Sequence, residues 1–328
     1  MRNMKRFTLI TSTILFAMLI CSSCKKEETE NFESKLIDGL TLDNYPRVDG
    51  STSTLPLNVV IACELLGISH EPYQAVEDDS WGIKPNLNNK ANKKFEDKVK
   101  STGTHQSFIN LINKETDLIL TARKMSSDEK KHADAMGVSL IETPIALDAF
   151  VFIVNPLNPV QSLTIEQIQD IYTGKITHWE EVGGDFPWPD YGKINPYVRN
   201  ANSGSQELME ELVMKGLDMI EYPQASELML HSMAGPTNVI FRDINALCYT
   251  VYYYLNYIQK GLNVNGIAVD GVIPHGGSIY NKTYPYVTEV YAVIRSDLNN
   301  LSMPYKIYEF LQTEKGRNVV RKSGYLPH

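Results

Sequence analysis

The sequence predicts an α/β fold. Short continuous apolar runs alternate with stretches of helical spacing, and several of those stretches open with loops rich in Ser, Thr and Gly. No fixed-period repeat is present, which argues against a solenoid. Leu57 to Leu66 reads as a helix with Pro56 in its first turn, where the missing N–H costs nothing. The charged stretch from Asn88 to Lys100 reads as the solvated face of a helix. Phe108 to Ile112 has helical spacing, and Asp117 to Thr121 reads as a strand. Ser126-x-x-Glu129 and Thr164-x-x-Gln167 are capping boxes, and the second helix should stop at Gly174. Val151 to Val154 and Val290 to Ile294 look like buried parallel strands. Tyr249, Tyr253 and Tyr257 are spaced for one packed helix face, a simpler reading than a sugar platform. Cys63 and Cys248 sit among apolar neighbours and are expected as buried thiols.

The chain has 328 residues, 43% hydrophobic and 21% charged, an ordinary globular balance. Its net charge is −8, and removing the three basic residues of the first 23 takes it to −11. An acidic body argues against nucleic acid, which is held by clusters of Lys and Arg. A small anion stays open, because a buried site sets its own field with one or two Arg and backbone dipoles.

Residues 1–23 read as a signal peptide: Met1 to Arg6 is basic, and the apolar run Phe7 to Ile20 falls short of the roughly 20 residues a membrane span needs. Ser22-Ser23-Cys24 resembles a bacterial lipobox, which makes Cys24 the lipidation site and residues 24–35 a polar tether. Cys21 stands where a lipobox usually has Leu. The alternatives are an ordinary cleaved signal or a redox Cys-x-x-Cys, and the latter belongs beside a folded βα unit.

Three loops share one design. Asp49-Gly50-Ser51-Thr52-Ser53-Thr54 runs into the helix at Pro56, Ser101-Thr102-Gly103-Thr104-His105-Gln106 leads to Phe108, and Arg199-Asn200-Ala201-Asn202-Ser203-Gly204-Ser205-Gln206 leads to Leu208. Each combines a glycine for close backbone approach, hydroxyl donors, and a helix start whose orphan N–H groups and positive dipole end favour an anion. For a single loop the plainer reading is an N-cap, worth about 1 kcal/mol, and Ser203-x-x-Gln206 is itself a capping box. Arg199 adds a fork that matches an oxyanion bidentately, or else pairs with an acid.

Beyond these loops, the sequence resembles the phosphate-binding proteins of bacterial phosphate importers, in the type II periplasmic-binding-protein superfamily. The resemblance runs from about Tyr45 to the C-terminus. It rests on Leu147 to Asn155, Leu163-Thr164-x-x-Gln167-Ile168-x-x-Ile171-Tyr172-Thr173-Gly174-Lys175-Ile176-Thr177-x-Trp179, Ile267 to Pro274, Tyr284-Pro285, and Gly316 to Pro327. It implies two lobes joined by two crossing strands with the ligand between them: residues 36–145 with 286–328, and residues 146–285. It places the ligand on Ser51, Thr52, Ser53, Thr104, Arg199, Ser203, Gly204 and Ser205, with His105 a register neighbour of Thr104. It further implies a monomer without metal or cofactor, an ABC transporter permease as partner, and contact with a membrane through the lipid anchor only.

Two departures bear on selectivity. Relatives often carry an Asp after the strand corresponding to Asp117–Thr121, and another two residues after the Arg; such an Asp can accept a proton from hydrogen phosphate and reject sulfate. Here those positions are Ala122 and Ala201. Arg123 either adds positive charge near the cleft or pairs with an acid. Two rival functions remain. Ser127-x-x-Lys130 has the spacing of a penicillin-binding-type nucleophile, a pattern common by chance, while no Gly-x-Ser-x-Gly or His-Glu-x-x-His occurs and the seven His lack metal-ligand spacing. The other is a surface lipoprotein of the same fold that binds another ligand or recruits a partner protein.

Overall fold

The computed structural model describes residues 32–74, 81–185, 192–201, 203–262, 264 and 266–328. The signal segment 1–23, Cys24 and the tether up to residue 31 lie outside the described residues, as does Asn202. The last residues assigned to the tether are not free chain. Phe32 packs against the core, its carbonyl accepts from Leu42 N at 3.0 Å, and Glu33 bridges Thr41.

The first elements are β1 (Val48–Gly50), α1 (Leu55–Leu66), the hairpin β2 (His70–Gln74) and β3 (Trp81–Pro85), and α2 (Asn89–Lys98). They are followed by α3 (Thr104–Ile112), β4 (Leu118–Thr121), α4 (Ser127–Met136) and β5 (Leu140–Val154). Next come β6 (Ser162–Leu163), α5 (Ile165–Tyr172), β7 (Asn195–Pro196), β8 (Val198–Arg199), α6 (Gly204–Leu208) and β9 (Met229–Leu230). Then α7 (Gly235–Ile240), β10 (Ala246–Val251), β11 (Ala268–Val269) and α8 (Gly276–Tyr280) lead to β12 (Val287–Arg295). The chain ends with α9 (Met303–Leu311), α10 (Glu314–Lys322) and β13 (Leu326–Pro327).

Local chemistry explains most boundaries. Pro lies in the first turn of α1, and Gly67 closes that helix at φ 67°, a left-handed conformation that glycine adopts without strain. Both expected capping boxes form, at Ser126 with Glu129 and at Thr164 with Gln167. Gly174 follows the C-cap Thr173 with φ 80°. On α2 only Phe95 is buried, as a solvated face requires.

One seven-stranded mixed sheet runs β1-β4-β12-β5-β10-β7, with β13 paired to β5. The two continuous apolar runs fall on β5 and β12, which pair antiparallel rather than parallel. Their uniform hydrophobicity reflects burial on both faces, which pairing direction does not require. Along β5, Leu140 to Ala149 pair with β12, while Phe150 to Val154 pair with β10.

Buried side chains form two main clusters. One draws on residues 37–146 and 290–325, joined by Met233, Val251, Tyr253, Tyr254 and Ile258. The other draws on residues 147–286 and includes Phe150, Phe152, Tyr172 and Tyr249, whose rings lie 5.1–6.3 Å apart. Each such ring adds about 1.5–3 kcal/mol on burial. Tyr249 therefore lies on a strand, not on a helix face with Tyr253 and Tyr257. Those two stack on each other at 5.7 Å, and Tyr253 stacks on Tyr325 at 3.7 Å. Cys63 and Cys248 are buried and free, and burial pushes the Cys63 thiol up to about 12.

Candidate functional site

The first loop leaves β1 beside its parallel partner β4. A β-carbon at Gly50 would lie 2.1 Å from Leu120 O, so only glycine allows the chain to turn there. Asp49, 4% exposed, holds the loop to its neighbour. Its Oδ1 accepts from Gly50 N and Thr102 N, both at 2.8 Å. Its Oδ2 accepts from Thr102 Oγ1 at 2.7 Å and Asn110 Nδ2 at 2.9 Å. The first two loops are thus tied through one carboxylate.

That tie sets Ser51 against Thr104. Their hydroxyls are 2.8 Å apart, both residues are buried, and Ala122 N donates to Ser51 Oγ at 3.0 Å. Ser53 is buried with its carbonyl accepting from Tyr325 OH at 3.2 Å, whereas Thr52 is exposed. Thr104 opens α3 after Gly103, whose φ of 95° again calls for glycine.

The third loop leaves β8 at Arg199, which is 5% exposed. Arg199 N donates to Tyr249 OH at 2.8 Å and to Gln206 Oε1 at 3.1 Å. Its guanidinium donates through Nε to Leu230 O at 3.0 Å and through Nη1 to Met233 Sδ at 3.5 Å. Among the described residues no carboxylate pairs with it. Burial pulls its pKa below the ordinary value, against the pull of Tyr249 and Tyr254. A guanidinium keeps its proton all the same, so a positive charge lies buried with only neutral acceptors among the described residues.

Ser205 Oγ also reaches Met233 Sδ, at 3.9 Å, which brings two donors onto one weak thioether acceptor. Ser203 caps α6, its Oγ accepting from Gln206 N at 3.1 Å. The reciprocal half of that capping box is missing, because Gln206 turns to Arg199 N and Tyr249 OH. Helical backbone continues past α6 as a π turn over Met209–Met214. The second and third loops meet at Gly204, where a β-carbon would lie 2.3 Å from Thr104 Oγ1. Thus Ser51, Thr104, Gly204, Ser205 and Arg199 form one chain of neighbours. Asp49 and Met233 were missed at the sequence level: nothing about a lone Asp before Gly, or a Met in a turn, announces its partners.

Arg123 pairs with acids, and it does so in the interior. Its Nη1 and Nη2 bind Glu129 Oε2 and Oε1 at 2.9 and 2.8 Å, and its Nε binds Glu207 Oε2 at 2.6 Å. His105, beside Thr104, places Nδ1 3.0 Å from Glu129 Oε1. Ligand atoms of His105, Glu129 and Glu207 lie within 4.8 Å of one another, close enough to suggest a metal. The guanidinium already fills that cation position, so the group does not suit an ion. Ser127 and Lys130 are both exposed, and no hydrogen bond links them.

The sequence matches the PBP superfamily domain over residues 76–308. The chain belongs to the PBP superfamily. Among its relatives, the phosphate-binding protein PstS of Staphylococcus epidermidis is 29% identical over 220 residues, covering 66% of this chain and 57% of that protein's own length. PstS of Bacillus subtilis is 23% identical, over 61% of each chain. A phosphate ABC transporter substrate-binding protein of Clostridium perfringens, solved with bound phosphate, superposes with a TM-score of 0.62. It is 24% identical and covers 86% of this chain and 98% of its own. A phosphate transport receptor of Vibrio cholerae superposes with a TM-score of 0.58 at 22% identity, covering 85% of this chain and 98% of its own. The fold is that of the type II periplasmic-binding proteins. Within this PBP-superfamily chain, Asp49 ties the first Ser/Thr loop to the second, and the third meets the second where Gly204 packs on Thr104.

Proposed function

We propose that the protein is an extracytoplasmic solute-binding lipoprotein that captures phosphate, or a closely similar oxyanion, for an ABC-type importer. The observation that carries this reading is Arg199: a buried guanidinium that no carboxylate among the described residues pairs, beside Ser205, where three loops of hydroxyl donors converge. Leaving a charge so placed costs several kcal/mol unless an anion meets it, so the arrangement suits a ligand better than a stable core.

Residues 36–145 with 286–328 form one lobe and residues 146–285 the other, a division that the two side-chain clusters support. Ser51, Thr52, Ser53 and Thr104 serve the anion from the first lobe; Arg199, Ser203, Gly204 and Ser205 serve it from the second. Hydroxyls and first-turn N–H groups supply the hydrogen bonds, and the guanidinium supplies the charge. The lobes close because the closed form binds the anion better than the open one, and a permease then recognises the closed form. Cys24 carries the lipid anchor, and the receptor acts as a monomer and catalyses no reaction.

The test is calorimetric titration with phosphate of the soluble body from Lys25 onward, first unfolded and refolded to strip carried-over ligand. Wild type should bind tightly, and Arg199→Ala should weaken binding at least about 100-fold, as loss of a buried charged partner predicts. Phosphate binding that survives Arg199→Ala unchanged would refute the assignment.

A further inference from the structure

The ion-pair group around Arg123 joins segments that the proposed lobe division places on opposite sides of the cleft. Arg123 follows β4 and Glu129 begins α4, both in the first lobe, whereas Glu207 lies on α6 in the second. We infer that Glu207 and Arg123 form a charged clasp across the cleft that holds the lobes together and sets how long a captured anion stays. The inference rests on the two-lobe reading above.

Three observations support it. Glu129 alone already matches Arg123: the pair is bidentate, and the two side chains are 4% and 0% exposed. Glu207 is therefore not needed to balance the charge of the buried guanidinium, yet its Oε2 closes onto Nε and Nη2, each at 2.6 Å. Second, Glu207 stands two residues after Ser205, so the clasp fixes the very turn that carries the third loop's hydroxyls. His105 joins the same group directly beside Thr104, so the second loop is anchored to it as well. Third, Glu207 is reversible by position. Its side chain is 21% exposed, and a crevice of about 450 Å³ lined by Arg123, Ser126, Glu207 and Glu210 gives solvent access to the pair. A fully desolvated pair would resist opening, whereas this one can trade Arg123 for water.

Glu207 is thus a positioning residue: it touches no ligand and acts through the loops it aligns. The cost of its burial fits a part that must release, since burial raises its carboxyl pKa against the opposing pull of Arg123. Among the described residues the other ion pairs stay within one lobe even when far apart in sequence, as Lys322 with Glu64 does, save Lys282 with Glu289, which lie seven residues apart at the lobe boundary.

The experiment compares wild type, Glu207→Gln and Glu207→Ala by small-angle scattering without ligand, and by stopped-flow phosphate binding. Removing the carboxylate should enlarge the ligand-free radius of gyration and raise the phosphate dissociation rate about tenfold, with the association rate little changed. Gln, which can still accept from Arg123, should fall between wild type and Ala. A purely structural role would lower the melting temperature and leave dissociation alone. If Glu207→Ala does not fold, Glu207→Gln carries the comparison. An unchanged ligand-free radius of gyration overturns the clasp whatever the kinetics show. Failure of wild type to bind phosphate would refute the proposed function instead, and the scattering result would still judge the clasp.

Discussion

Asp148 offers a sharp test of how burial sets charge in this fold. It lies on β5 opposite Thr288 and is 5% exposed. Burial lifts its carboxyl from an ordinary 3.8 to about 7, against backbone bonds from Tyr253 N at 2.9 Å and Ala149 N at 2.8 Å. Between those two values the folded chain holds a proton that the unfolded chain has lost. Stability is therefore fullest below the unfolded value and drains away as pH rises towards about 7. At about 1.4 kcal/mol per pH unit, the whole loss is roughly 4 kcal/mol. Asp148→Asn keeps an oxygen for both N–H donors and removes the ionisation. Near pH 4.5 the variant should lie within about 1 kcal/mol of wild type, the usual cost of a near-isosteric polar exchange. At pH 8 it should gain about 3 kcal/mol relative to that offset. Urea unfolding of both proteins at both pH values measures the difference, and other titrating groups cancel in it. The same offset at pH 4.5 and pH 8 would refute the reasoning.

Three further predictions follow from the site. Gly204→Ala should raise the phosphate Kd at least about tenfold, because its β-carbon would fall 2.3 Å from Thr104 Oγ1; titration calorimetry reads it directly. Asp49→Ala removes four hydrogen bonds and strands the N–H groups of Gly50 and Thr102, so urea unfolding should show a loss of about 3 kcal/mol. Sulfate should compete with phosphate to within about tenfold in calorimetric displacement. Asp49 is the only acid among the described residues of the three loops, and both its oxygens already accept two bonds each, leaving none for a ligand proton. A phosphate preference near a thousandfold would show that another group takes that proton.

Local signals were legible in the sequence wherever the chemistry itself is local. The capping boxes at Ser126 and Thr164, Pro56 in a first turn and Gly174 after a helix depend on neighbours within four residues, and each formed as expected. The Ser/Thr loops were visible for the same reason. Pairing direction was not, because a run such as Val151 to Val154 is equally apolar whether its partner runs parallel or antiparallel. Tyr249, Tyr253 and Tyr257 misled because a spacing of four fits both a 3.6-residue helix and a two-residue strand. The partners of Asp49 and Arg123 lie up to 61 and 84 residues away, so the bonds that organise the site had no local trace.

The interleaving of the two cores dictates an order of assembly. In space β12 lies between β4 and β5, yet in sequence it follows the whole second cluster. A growing chain can therefore gather residues 147–286 into a core while the first core still lacks its central strand and the helices α9 and α10. Until residue 295 is available, β4 and β5 each carry an open edge able to pair with a stray strand. Folding should consequently begin in the middle of the chain and finish at both ends together. Loss of the last forty residues would leave the second core standing and the first unformed.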